Sequence, residues 1–175
     1  MKILGFILLG ILGLIALFLI VAIFVPKKYA IEREITINKP RSQVFDYIKH
    51  VKNQNHFSEY VLMDPEMKKD YRGSDANVGF VFAWDGEKAG KGEQEIKNIK
   101  EGEKVDLELR FVKPMENTAN AYFATESESP NATKVKWAMY GESKYPINLM
   151  TLIMSGNLET SMDKSLQRLK TILEK

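Results

Sequence analysis

The chain has 175 residues, no cysteine and two histidines, and its 25 basic residues nearly balance 23 acidic ones. That balance excludes the one-signed charge expected of a nucleic-acid footprint, and no Lys/Arg block exceeds two residues. The lack of cysteine excludes disulfides and thiolate metal sites but permits either redox compartment.

Residues Ile3 to Val25 form an apolar run of 23 residues without a charge, an amide or a hydroxyl. As a helix rising ~1.5 Å per residue it spans roughly 34 Å, enough to cross a hydrocarbon core about 30 Å thick. A signal peptide needs only about 7–15 apolar residues followed by small ones at a cleavage site. Here the run ends Phe24-Val25-Pro26-Lys27-Lys28, bulky and then basic, which favours an uncleaved anchor. A buried core helix would show a polar face, and this run shows none. The expectation is a single-pass membrane protein, with a transmembrane anchor over 1–26 and one globular domain over 27–175. Lys27, Lys28 and Arg33 follow the run and only Lys2 precedes it, so the positive-inside rule leans towards a cytoplasmic domain. With Lys2 set aside, 24 basic residues face 23 acidic ones in that domain.

In the domain, Ile31, Ile35 and Ile37 share a parity that predicts a half-buried strand, with Arg33, the exception on the apolar side, expected at the strand's membrane end. Asn38-Lys39-Pro40 predicts a strand end and a helix start, with Asn38 as N-cap. Val44, Phe45, Ile48 and Val51 then mark one face of an amphipathic helix. Lys52 to Ser58 is a polar stretch predicting a short helix or turn that ends near Tyr60.

From about Lys68 the period is two. Val78, Phe80, Phe82 and Trp84 form one apolar parity; Val105, Leu107, Leu109 and Phe111 a second; Thr133, Val135, Trp137 and Met139 a third. Less regular strands are expected around 92–99 and 117–125, and turns at Asp85-Gly86, Glu101-Gly102, Pro114 and Pro130-Asn131. Short connections and one-sided polarity indicate an antiparallel sheet with one wet face. Leu158, Met162, Leu166, Leu169 and Leu173 mark a long final helix, preceded by the apolar segment from Ile147 to Met154. The expected class is α+β, a curved antiparallel sheet of six to seven strands around a long C-terminal helix.

In this order of elements the chain resembles the START-like, or SRPBCC, superfamily, specifically its polyketide cyclase/dehydrase-like branch. The resemblance covers about Tyr29 to Lys175. It rests on Ile35-Thr36-Ile37-Asn38-Lys39-Pro40 before Val44-Phe45-Asp46-Tyr47-Ile48, on Asp64-Pro65, on Val78-Gly79 ahead of Phe82-Ala83-Trp84-Asp85-Gly86, on Gly90-Lys91-Gly92-Glu93, and on Lys134-Val135-Lys136-Trp137. Similar sequences often carry tryptophans after the first helix, where this chain has Gln54, Phe57 and Tyr60. The resemblance implies a helix-grip fold with a hydrophobic cavity between sheet and long helix; it does not imply one reaction.

The bulky strand parity supplies Phe80, Phe82, Trp84, Leu107, Leu109, Phe111, Phe123, Trp137 and Met139 as candidate ligand contacts, and the helical side Met150 and Met154. Flexible thioethers suit a cavity for varied apolar shapes, although most such residues fill an ordinary core. Catalysis needs a titratable or polarising group inside the pocket, and the regular strands put none on their bulky parity. Gln94, which shares a parity with Ile96, is the candidate for orienting a ligand's polar group. His50 and His56 lack a third ligand and helical spacing, so no metal or cofactor is expected; His56 beside Tyr60 is either a surface residue or half of an acid–base pair. The expected function is membrane-anchored binding of a hydrophobic small molecule or lipid. The alternative is a polyketide cyclase- or hydrolase-like enzyme using the same cavity.

Overall fold

The structure, a computed structural model, describes residues 2–175, with side chains described for 5–149 and 155–175. The side chains of Ile3, Leu4 and the stretch from Met150 to Met154 lie outside the described residues.

An apolar helix, α1 (Lys2–Phe24), leads into the edge strand β1 (Lys28–Ile37). Helix α2 (Arg41–Lys49) follows, then a 3-10 turn (Val51–Asn53) and two single-turn helices, α3 (Gln54–Phe57) and α4 (Glu59–Leu62). Six strands then run as a meander: β2 (Lys68–Arg72), β3 (Val81–Gly86), β4 (Gly90–Lys100), β5 (Lys104–Lys113), β6 (Asn117–Ser129) and β7 (Ala132–Glu142). Helix α5 (Asn148–Leu173) closes the chain. The sheet is antiparallel in the order β1-β7-β6-β5-β4-β3-β2, so the first strand closes the far edge beside the last. The class is α+β and the architecture a helix-grip fold, with α5 held against the sheet's inner face.

The period-two pattern gives this sheet one apolar face, and that face closes on a single core. Val105, Leu107 and Leu109 of β5 stand beside Ala119, Ala121 and Phe123 of β6, and Phe123 beside Trp137 of β7, all buried. Met162, Leu166 and Leu169 of α5 cap this layer and are buried too, as the three-and-four spacing requires. The outer face is wet and laced with charge: Arg110 binds Glu93, Glu95 and Glu108, and Arg72 also reaches Glu93.

Three local expectations need correction. Pro40, not Asn38, stands at the N-cap of α2, and no side chain caps that helix. The strand ends in a tight turn in which Lys39 N–H donates to the Ile37 carbonyl, while Asn38 N–H donates to the carboxylate of Glu174, the residue that caps the end of α5. Val78 is exposed, because the chain turns at Gly79 (φ +85°) before β3 begins. Arg33 does not mark the strand's end. It lies mid-strand opposite Trp137, and its Nε and Nη2 donate to the Asp163 carboxylate of α5 at 2.7 and 2.6 Å. A charge on the inner parity thus becomes the fork that ties the long helix to the edge strand.

Helix α1 projects from the domain. Among its described residues all but Leu19 and Ala22 are exposed, and the helix is long and apolar enough to cross a membrane. Its C-terminal end is fastened to the start of α5. Asn148 Nδ2 donates to the carbonyls of Ala22 (2.7 Å) and Val25 (2.8 Å), and the Tyr145 hydroxyl donates to that of Leu19 (3.3 Å). The two Asn148 bonds satisfy carbonyls that the helix end leaves without intrahelical partners, and the Tyr145 bond adds a second donor to a carbonyl one turn earlier.

Candidate functional site

Between the inner face of the sheet, the α3–α4 segment and the first part of α5 lies a cavity of about 800 Å³. That volume lies within the range of small-molecule sites. Its walls come from strand residues whose parity points inward. Phe82 and Trp84 stand on β3, Gln94 on β4, Leu109 and Phe111 on β5, Trp137 and Met139 on β7. Val61, Met63 and Met67 close one side and Leu158 of α5 another. The mouth lies at the end of the sheet carrying the β5–β6 connection, Val112 to Glu116, together with Tyr29, Glu142, Lys144 and Ile147.

The aromatic wall has a definite build. Tyr71, Phe82, Trp84 and Phe111 form a continuous series with centroid separations of 5.2, 5.8 and 6.0 Å. Trp84 Nε1 donates to the Ala89 carbonyl across the β3–β4 turn at 3.2 Å. Its ring lies over Gly92 of β4, where a Cβ would come within 2.7 Å of the indole and of the Arg110 carbonyl. The turn itself is held from α4's side: Asp64 accepts from the backbone N–H groups of Lys88 (2.8 Å) and Ala89 (3.1 Å). Those two bonds hold the Asp64 carboxyl below its ordinary value of 3.8. On the opposite wall Trp137 stacks on Phe123 at 4.8 Å and meets Tyr60 edge-on at 6.4 Å.

Of the candidate contacts, Phe82, Trp84, Gln94, Leu109, Phe111, Trp137 and Met139 line the cavity. Phe80, Leu107 and Phe123 do not: they are 1–3 % exposed and fill the closed end of the core. Met150 and Met154 lie outside the described residues.

Sequence reasoning left out Gln54, Ser58, Tyr29, Met67 and Leu158 and named Tyr60 only as the alternative acid–base partner of His56; all six also line the cavity. Gln54 and Ser58 are four apart across a helical turn, so both face inward, but a one-turn helix in a polar stretch has no legible period. Gln94 does point inward, and its Nε2 donates to Gln54 Oε1 at 2.8 Å; both side chains are only 6 % exposed. The Tyr60 hydroxyl donates to the Leu158 carbonyl, and burial pushes its pKa up to about 12. His56 is exposed, and His50 Nδ1 stands 3.4 Å from Asp75, away from the cavity. Among the described residues no group of His, Asp and Glu is arranged to hold a metal.

No protein-family model matches the chain, and no curated protein matches it in sequence. Solved structures do. Truncated norcoclaurine synthase from Thalictrum flavum superposes with a TM-score of 0.64 at 10 % identity, covering 85 % of this chain and 95 % of that one. The same enzyme in complex with dopamine and hydroxybenzaldehyde gives 0.62 at 9 %, covering 84 % and 87 %. A protein from Chromobacterium violaceum gives 0.60 at 14 %, covering 83 % and 97 %. At such identities the likeness is one of fold: this chain shares its helix-grip architecture with these proteins.

Proposed function

We propose that the protein is a membrane-tethered binding module for a hydrophobic small molecule or lipid, with α1 as the anchor. One observation carries this reading: an apolar cavity opens beside the point where α1 meets the domain. Tyr29 lies on the rim four residues after Val25, and Lys144 and Ile147 flank the Tyr145 that bonds to α1. Val112, Met115 and Ile147 put exposed apolar side chains around the same opening, where a hydrophobic molecule leaving a bilayer would enter without crossing water.

The cyclase- or hydrolase-like alternative asks for a group that exchanges a proton near neutral pH beside the reacting atoms. Inside the cavity stand amides, a serine and Tyr60, whose raised pKa keeps its proton in place. Of the charged lining residues, Lys113, Glu116, Glu142 and Lys144 are exposed at the mouth, and Arg110 is ion-paired with Glu93, Glu95 and Glu108. This distribution suits holding a ligand better than transforming it.

Mass spectrometry of small molecules and lipids that co-purify with the detergent-extracted full chain tests the reading. A hydrophobic species retained by the wild type and depleted in Leu109→Trp, which adds bulk beside Gln94 and shortens the cavity at its inner end, is the expected result. The same complement on both proteins would show that the cavity is not the binding site.

A further inference from the structure

The cavity is mostly apolar along its walls and charged at its mouth, while at its inner end the polar groups are uncharged. Gln94 pairs across the sheet with Phe82 and Leu109, so its amide is set between apolar neighbours. Beyond it on the same strand Ile96 is fully buried, and beyond Leu109 on β5 comes buried Leu107, so the cavity ends at the level of Gln94. Lys113, on the rim, is four residues from Leu109, roughly 13 Å at ~3.3 Å per residue.

The Gln94–Gln54 bond uses one N–H of one amide and the oxygen of the other. The Gln54 NH2 group and the Gln94 oxygen hydrogen-bond to no other group among the described residues, and neither does the Ser58 hydroxyl beside them. All three side chains are at least nine-tenths buried and all three line the cavity. Turning both amides over would exchange donor for acceptor and still leave one of each (their O and N positions being equivalent in shape). Buried amides are ordinarily satisfied, so a donor and an acceptor side by side facing a cavity form a built receptor for a ligand group.

Charge narrows that group further. Among the described residues no unpaired cation faces the inner end: Arg110, which contributes to the lining, is engaged by Glu93, Glu95 and Glu108 on the outer face, and Lys113 and Lys144 stand at the mouth. A carboxylate or ammonium would therefore be buried without a counter-charge, which is costly. A group that both donates and accepts while uncharged meets no such barrier.

We propose that Gln54, Gln94 and Ser58 form a polar subsite that selects amphipathic ligands with an uncharged hydroxyl or amide end, seated head-inward with the apolar body towards the mouth. The proposal rests on the cavity-binding reading above and specifies its ligand class. It makes the cavity a discriminator between an alcohol and its ether, which a purely apolar pocket would accept alike.

The chain's two tryptophans both line the cavity, so quenching of their fluorescence reports occupancy in the full chain reconstituted in phosphatidylcholine vesicles. The probes are ω-bromodecanol and its methyl ether, each read as the part of the quenching that an excess of the same molecule without bromine reverses. The wild type is expected to bind the alcohol about tenfold more tightly than the ether, the effect of one well-made buried hydrogen bond. Gln54→Leu/Gln94→Leu is expected to bind both probes alike while retaining the ether. Should the double variant not fold, Gln94→Met serves, and a reduced preference is expected. Equal binding of the two probes by the wild type, or an unchanged preference in a folded variant, overturns the polar subsite and leaves the cavity reading standing. Failure of both probes to bind the wild type overturns the cavity reading itself.

Discussion

At the scale of single residues, the cavity is made by side chains that are also structural. Trp137 is 5 % exposed, stacked on Phe123 and edge-on to Tyr60, yet one part of its ring faces the cavity. Trp137→Ala is therefore expected to cost about 3 kcal/mol in chemical unfolding, the low end for buried aromatics because some of its surface already lacks packing partners. Weaker binding of an apolar dye should accompany that loss. A neutral effect on both would mean the ring carries neither packing nor ligand. Gly92 is the complementary case. A methyl there meets the Arg110 carbonyl and the Trp84 ring, both at 2.7 Å; the ring can shift but the backbone cannot. Gly92→Ala should destabilise by about 1–3 kcal/mol, as overpacking does, and shift Trp84 emission as the indole is displaced. Unchanged stability and emission would show that β4 relaxes freely at its bulge between Lys91 and Gly92.

At the scale of elements, legibility followed length. The strands β5 and β7 and helix α5 each repeat their pattern over ten or more residues, so parity and stripe identified their inner faces directly. The segment from 51 to 62 is three one-turn pieces, too short for any period, and it supplies Gln54, Ser58 and Tyr60 to the cavity. Phe80, Leu107 and Phe123 share the parity of the lining residues and were indistinguishable from them, because depth along a strand is set by which neighbours close over it. Arg33 broke its strand's pattern for a reason visible only in three dimensions, its partner Asp163 lying 130 residues away. Asp64 is another long-range tie, holding the β3–β4 turn that positions Trp84. Its pKa is depressed in the folded state, so its contribution is present above the unfolded carboxylate range and disappears as pH falls through the lower folded value. Asp64→Asn should accordingly lower stability at neutral pH and flatten the acid limb of the stability profile below about pH 4. An acid limb identical to that of the wild type would show that the turn does not depend on the charge.

At the scale of the whole molecule, the question is how far α1 and the domain depend on each other. Every buried apolar residue of the domain core lies at or beyond Ile31, and of the described α1 residues only Ala22 is buried. The ties between the two are hydrogen bonds from Tyr145 and Asn148 to carbonyls at the helix end. On removal of the helix, its carbonyls leave with it and the Asn148 amide gains access to water, so the loss should stay local. The bond from Ser143 N–H to the Lys27 carbonyl survives a cut after Pro26. We propose that residues 1–26 and 27–175 are separable units. The 27–175 fragment should be soluble, show the circular dichroism of an α+β protein and unfold cooperatively, while the full chain should resist carbonate extraction from membranes and yield to detergent. The fragment should also keep its quenching by ω-bromodecanol, since the inner cavity wall comes wholly from the sheet, α3, α4 and α5. A fragment that aggregates or lacks a cooperative transition would mean that the apolar helix completes the core, and a full chain released by carbonate would remove the anchor. Because the mouth lies beside the helix end, the two proposed units would divide the work by position: α1 would place the opening at the bilayer surface, and the domain would hold what enters it.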